Sequence, residues 1–179
     1  MKIRFATLED VPGFVEMSRK FHALTRFAAY DYNSERVAQQ LRATIETGQN
    51  KNGTHCFFVV EESQGLPIGG LIGCVEQHFF SEQLVASVIH YDVLPEKRMG
   101  GAGLRLLMAF RKWAENRGAF ELNAGVNSGT DLDKMDRFLR KLGFKQTGGN
   151  YSLALAAPSS SISSNTIPTT STPTEKINA

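Results

Sequence analysis

The chain has 179 residues, 41% of them hydrophobic, and a net charge of +2, which is room for one ordinary domain with one core. So small a charge gives no argument for nucleic acid or a membrane surface as a partner, and no apolar run approaches the roughly 18 residues of a membrane span. The opening Met1-Lys2-Ile3-Arg4-Phe5 lacks the apolar stretch of a secretory signal, so the expected compartment is the cytoplasm.

Lys2 to Ala6 alternates polar and apolar residues as a half-buried strand does. Thr7-Leu8-Glu9-Asp10 is a capping-box pattern, and Pro12 is tolerated in the first turn of the helix it opens. Val11, Phe14, Val15, Ser18 and Phe21 mark one face of that helix. Thr25 to Asn33 is aromatic and irregular. Ser34 caps a second helix with Val37, Ala38, Leu41 and Ile45 inward, and Gly48 ends it. Three strand-like runs follow at His55 to Glu61, Ile68 to Phe79 and Val85 to Leu94, separated by turns at Gly65-Leu66-Pro67 and Ser81-Glu82-Gln83.

Beyond Leu94 comes a glycine-rich loop, then a helix from Gly103 to Arg117 with Leu106, Leu107, Phe110, Trp113 and Ala114 inward and Gly118 as its stop. Phe120 to Val126 reads as a short strand. Thr130 or Asp131 starts a last helix with Leu132, Met135, Leu139 and Leu142 inward, and Tyr151 to Leu155 is predicted to close the sheet. The order β-α-α-β-β-β-α-β-α-β calls for an α/β fold with a mixed sheet covered by helices. Residues 1–156 are expected to form this domain. Residues 157–179, rich in Ser, Thr and Pro, cannot bury enough apolar surface to offset their ordering entropy and are expected to be a disordered tail.

Cys56 and Cys74 show no Cys-x-x-Cys spacing, and the four histidines show no ligand spacing, so neither a metal nor a redox motif is expected. The chemistry concentrates in Val93-Leu94-Pro95-Glu96-Lys97-Arg98-Met99-Gly100-Gly101-Ala102-Gly103-Leu104. A strand runs into glycines and the glycines into a helix, so unobstructed N–H groups converge at a helix N-terminus and can cradle a pyrophosphate. Lys97, Arg98 and Arg105 place positive charge beside the same spot. Neither the P-loop nor the dinucleotide fingerprint is present. A tight strand-to-helix turn with no ligand accounts for the glycines alone; the surrounding landmarks weigh against it.

What does match is Arg/Gln-x-x-Gly-x-Gly/Ala, as Arg98-x-x-Gly101-x-Gly103. With Val93-Leu94-Pro95 before it, Ala114 to Ala119 as an Ala-x-x-x-Gly-Ala helix end, Lys141-Leu142-Gly143-Phe144 and the opening Ile3 to Asp10, the chain resembles the GCN5-related N-acetyltransferases along nearly its whole folded part. The resemblance implies two splayed parallel strands with acetyl-CoA in the gap. The main-chain N–H groups of Met99, Gly100, Gly101, Ala102, Gly103 and Leu104 would hold its diphosphate beside Arg98. The edge from Tyr91 through Val93 to Leu94 would meet the pantetheine, one N–H near Val93 would polarise the thioester carbonyl, and Asn127 would lie against the pantetheine or the acceptor.

An amine acceptor, small molecule or protein, would attack the thioester directly, with a general base to take its proton and an acid to protonate the thiolate. The family's usual acid, a tyrosine, aligns with Leu139, and its usual base position falls at Ser87 to Ile89, where nothing titrates usefully. Tyr91 and Asp92 are the substitute catalytic candidates. Simple alternation places His90 and Asp92 on the face opposite Ser87, Ile89 and Tyr91, and a bulge, which the resemblance implies is frequent in this strand, would change that facing. The aromatic stretches Thr25 to Asn33 and His78 to Leu84 suit an acceptor with an apolar or planar body, or a homodimer contact. The alternative reading is a non-catalytic acyl-CoA-binding sensor or interaction module.

Overall fold

The computed structural model describes residues 1–48, 53–62 and 65–155, which fall into two units, Met1–Gly148 and Gly149–Ala179. The first unit carries strands β1 (Lys2–Phe5), β2 (His55–Glu61), β3 (Pro67–Gln77), β4 (Leu84–Val93) and β5 (Ala119–Ala124), and helices α1 (Val11–Ala23), α2 (Ser34–Gly48), α3 (Ala102–Asn116) and α4 (Leu132–Lys141). The strands form one sheet in the order β1-β2-β3-β4-β5. The first three junctions are antiparallel and β4 runs parallel to β5, because α3 carries the chain back between that pair. At the predicted β3–β4 turn, His78 N–H donates to Gln83 O at 2.9 Å and Ser81 N–H to His78 O at 3.1 Å.

Both faces of the sheet are covered. Cys56, Phe58 and Val60 of β2 join Leu106, Phe110 and Trp113 of α3 in one core, whereas Phe57 and Val59 join Phe14, Met17, Leu41 and Ile45 of α1 and α2 in the other. This is the period of two that sends successive side chains to opposite faces, and burial on both sides is why β2 reads as an unbroken apolar run. Phe110 and Leu106 are fully buried, each contributing roughly 1.5–3 kcal/mol. At the β1–α1 corner Asp10 accepts from the Thr7 N–H at 2.8 Å and from Arg4 at 2.7 and 2.9 Å, so the predicted capping pair also anchors a cation. After α4, Gly143 N–H donates to Arg140 O and Phe144 N–H to Leu139 O, a Schellman stop that explains the Lys-Leu-Gly-Phe landmark.

The mixed α/β class is as expected, but the closing strand is not. Tyr151–Leu155 carries no regular secondary structure, and Tyr151, Leu153 and Leu155 are exposed. Alternating apolar residues announce a face to cover, but the exposure of these three shows that no face here is covered. Smaller corrections follow from packing. Helix α1 buries Val11, Phe14 and Met17 rather than a stripe running on to Ser18 and Phe21, α4 leaves Leu132 exposed, and β5 stops at Ala124. The tail expected at 157–179 lies outside the described residues. Among the described residues no helix is long and apolar enough to cross a membrane.

Candidate active site

Strand β4 pairs with β5 only from Leu84 to Val88, yet stays paired with β3 as far as Val93 opposite Gly69. Beyond Val88 and Ala124 the two parallel strands part. Leu94 N–H donates to Ile68 O at 2.9 Å, so along this stretch the amides of Leu94 and Asp92 face β3. The N–H and C=O of Tyr91 and Val93 therefore point the other way, into the gap.

The register with β3 slips between Ile72, opposite His90, and Gly73, opposite Val88, leaving Ile89 as an extra residue. That bulge corrects the facing expected from simple alternation. Val88, Tyr91 and Val93 pack toward α3. His90 and Asp92 share the other face with Ser87, where the His90 ring meets Phe21 of α1 edge-on at 5.2 Å. Burial holds the imidazole of His90 below its ordinary pKa.

At the end of β4 a 3₁₀ turn, Pro95–Gly100, leads to Gly101 at φ 80°, a left-handed conformation that glycine adopts without penalty, immediately before α3. Arg105 N–H donates to Gly101 O at 3.1 Å, so the N–H groups of Ala102, Gly103 and Leu104 have no acceptor one turn back within the helix. The Met99 side chain points outward, Ala102 is buried, and Leu104 is partly exposed. At Gly103 any Cβ would overlap the Tyr91 hydroxyl, so the phenol lies directly beneath the loop. Burial pushes that phenol up to about 12.

The positive charges near the loop are unequal. Lys97 Nζ is held by both Glu62 oxygens at 2.8 and 2.9 Å, and Arg98 donates to Val93 O at 3.0 Å and to Asp92 Oδ1 at 3.5 Å. Arg105 is exposed and, among the described residues, has no ion pair. Asp92 is buried, and burial raises its pKa to about 6, with Arg98 and the Val93 N–H offsetting part of the cost.

The far side of the gap is tied down by a residue the sequence did not reveal. Arg26, in the segment joining α1 to α2, donates Nε to Asn127 O at 2.6 Å and its N–H to Ser128 O at 2.9 Å. The Asn127 carbonyl thus secures the loop after β5 to the segment joining α1 and α2. Phe27 lies 6.3 Å from Phe21, so Phe21, Phe27 and His90 form an aromatic wall outside both cores. Leu139, where the family's acid aligns, is buried in the α3-side core. Asp131, at the start of α4, also reaches this cluster: its Oδ2 lies 3.8 Å from Arg98 Nη1. Asp131 was legible as a helix start, but its approach to Arg98, like the contacts of Arg26, depends on a partner far along the chain.

A mixed sheet whose parallel pair parts beside a glycine turn at a helix start defines an acyltransferase fold. The model of the acetyltransferase (GNAT) family matches residues 19–144, and the chain belongs to that family of acyltransferase enzymes. Solved structures share the fold at low identity. An acetyltransferase from Trypanosoma brucei is 18% identical with a TM-score of 0.64, covering 86% of this chain and 99% of that one. The aminoglycoside 6'-N-acetyltransferase AAC(6')-IG from Acinetobacter haemolyticus is 16% identical with a TM-score of 0.65, covering 88% and 100%. AAC(6')-Iy in complex with a bisubstrate analog, CoA-S-monomethyl-acetylneamine, is 14% identical with a TM-score of 0.67, covering 87% and 98%. No curated protein matches the chain in sequence.

Proposed function

We propose that this enzyme transfers an acetyl group from acetyl-CoA to a primary amine by direct attack. The observation that carries the reading is the end of the β4–β5 ladder at Val88, which leaves the Tyr91–Val93 edge without a strand partner on the β5 side, beside the turn at Gly101. The diphosphate lies on the N–H groups of residues 99–104, where the helix dipole and Arg105 favour an anion. The pantetheine runs along the strand edge, and the Tyr91 N–H polarises the thioester carbonyl.

An alkylamine has a pKa near ~10.4 and must lose a proton to attack. The amine lone pair adds to the carbonyl carbon, Asp92 takes the amine proton directly or through water, and the C–S bond breaks. With its carboxyl at about 6, against ~8.5 for a thiol, Asp92 can return that proton to the departing sulfur. Tyr91, at about 12, holds its proton too tightly to serve as that acid and instead supports the loop under Gly103.

The acceptor side is lined by Phe21, Phe27 and His90, which favours an amine with a planar or apolar body. The test is thiol release from acetyl-CoA with aryl-alkylamines, aminoglycosides and lysine peptides as acceptors. The reading expects a rate with aryl-alkylamines well above slow hydrolysis. Tight acetyl-CoA binding with no amine accelerating thiol release would instead mark an acyl-CoA sensor.

A further inference from the structure

Arg98 touches both halves of the site. It projects from the turn just ahead of the glycine loop, and its guanidinium donates Nε to Val93 O at 3.0 Å and Nη2 to Asp92 Oδ1 at 3.5 Å, with Nη1 3.8 Å from Asp131 Oδ2. The guanidinium is partly exposed, whereas the Asp92 carboxylate is buried. The elements packed against that carboxylate bring little charge to it. Strand β3 places Gly70 opposite Asp92, and α1 lays Phe14 over Gly70. Among the described residues the ionisable groups acting on Asp92 are Arg98 and the neighbouring Tyr91 phenol. An anionic diphosphate on residues 99–104 would compete with Asp92 for its counter-cation.

We propose that Arg98 is a positioning residue shared between the acyl-CoA diphosphate and the Asp92 carboxylate, so that arrival of the diphosphate draws a proton onto Asp92 and ties acyl-CoA affinity to pH. This rests on the reading that acyl-CoA occupies the glycine loop. The direction follows from linkage: a carboxylate that loses its cation binds a proton more tightly, and a ligand that promotes protonation binds more tightly at low pH. The shared cation also gives the base its setting, since a carboxyl brought nearer neutrality is better matched to its task at physiological pH.

The probe is dephospho-CoA, because the 3'-phosphate of CoA is a monoester that itself titrates near ~6. Its dissociation constant is measured by calorimetry from pH 5 to 8, with proton uptake read from heats in buffers of different ionisation enthalpy. The expected result is net proton uptake near pH 6.5 and affinity falling several-fold, up to about tenfold for one unit of coupling, across that range. Asp92→Asn should bind without pH dependence, and Arg98→Gln should bind more weakly with that dependence lost. Affinity indifferent to pH in the wild-type protein, or a dependence that survives in folded Asp92→Asn, would overturn the coupling while leaving the loop assignment standing. Absence of binding at every pH would remove the loop assignment and the coupling together.

Discussion

Asp92, the base in the proposed mechanism, costs stability at neutral pH. Its carboxyl is raised to about 6 in the folded protein, against ~3.9 unfolded, so the folded state holds the proton more tightly between those values. The stability it contributes is complete below about pH 4 and is lost as pH rises through about 6. Asp92→Asn is therefore expected to cut kcat by a factor of 10² or more while leaving the melting temperature at pH 7.5 unchanged or higher. Chemical denaturation across pH 4–8 should show a flatter stability profile for the variant. In the wild type, kcat/KM should rise with pH through about 6. A second prediction concerns the phenol under the loop. Gly103→Ala drives a methyl into the Tyr91 hydroxyl and should cost about 1–3 kcal/mol, together with acetyl-CoA affinity. Tyr91→Phe in the same chain should restore much of both, a non-additivity that a double-mutant cycle measures directly.

At the scale of elements, the bulge at Ile89 puts His90 and Asp92 on the same sheet face as Ser87. Deleting Ile89 would remove the unopposed residue and leave strict alternation, with Val88 and Tyr91 toward α3 and His90 and Asp92 still on the other face. The expected outcome is a folded protein with those facings and its acetyl-CoA affinity retained; a variant that fails to fold in a thermal melt would contradict Ile89 as the extra residue. The turn is a separate device. Gly101 sits at φ 80° with no atom near a would-be Cβ, so Gly101→Ala carries backbone strain of roughly 1–2 kcal/mol without a clash, and a fall of a few degrees in melting temperature would check it. Helix ends and turns were legible in the sequence because each has a local cause: Thr7 with Asp10, Gly118 after α3, Gly143 before Phe144. The bulge was not, since an extra residue in one strand is defined only against its neighbour. The strand expected at Tyr151–Leu155 did not form because alternation alone does not bury a face: Tyr151, Leu153 and Leu155 stay exposed.

At the scale of the whole molecule, two cores share one sheet, and the site lies where that sheet comes apart. The glycine loop was legible from spacing alone, but the pairing of its cations was not. Lys97 is neutralised by Glu62 and Arg98 by Asp92, contacts that depend on the sheet having formed. Removing residues 157–179 is expected to leave melting temperature and acetyl-CoA affinity unchanged, because that composition offers a core almost nothing. The most direct test of the central claim is a calorimetric titration of the full chain with acetyl-CoA, set beside Gly101→Glu. Saturable one-to-one binding in the wild type, abolished in a folded Gly101→Glu, is the expected result. An equal affinity in both proteins, or none in the wild type, would contradict the assignment of this turn as the diphosphate site.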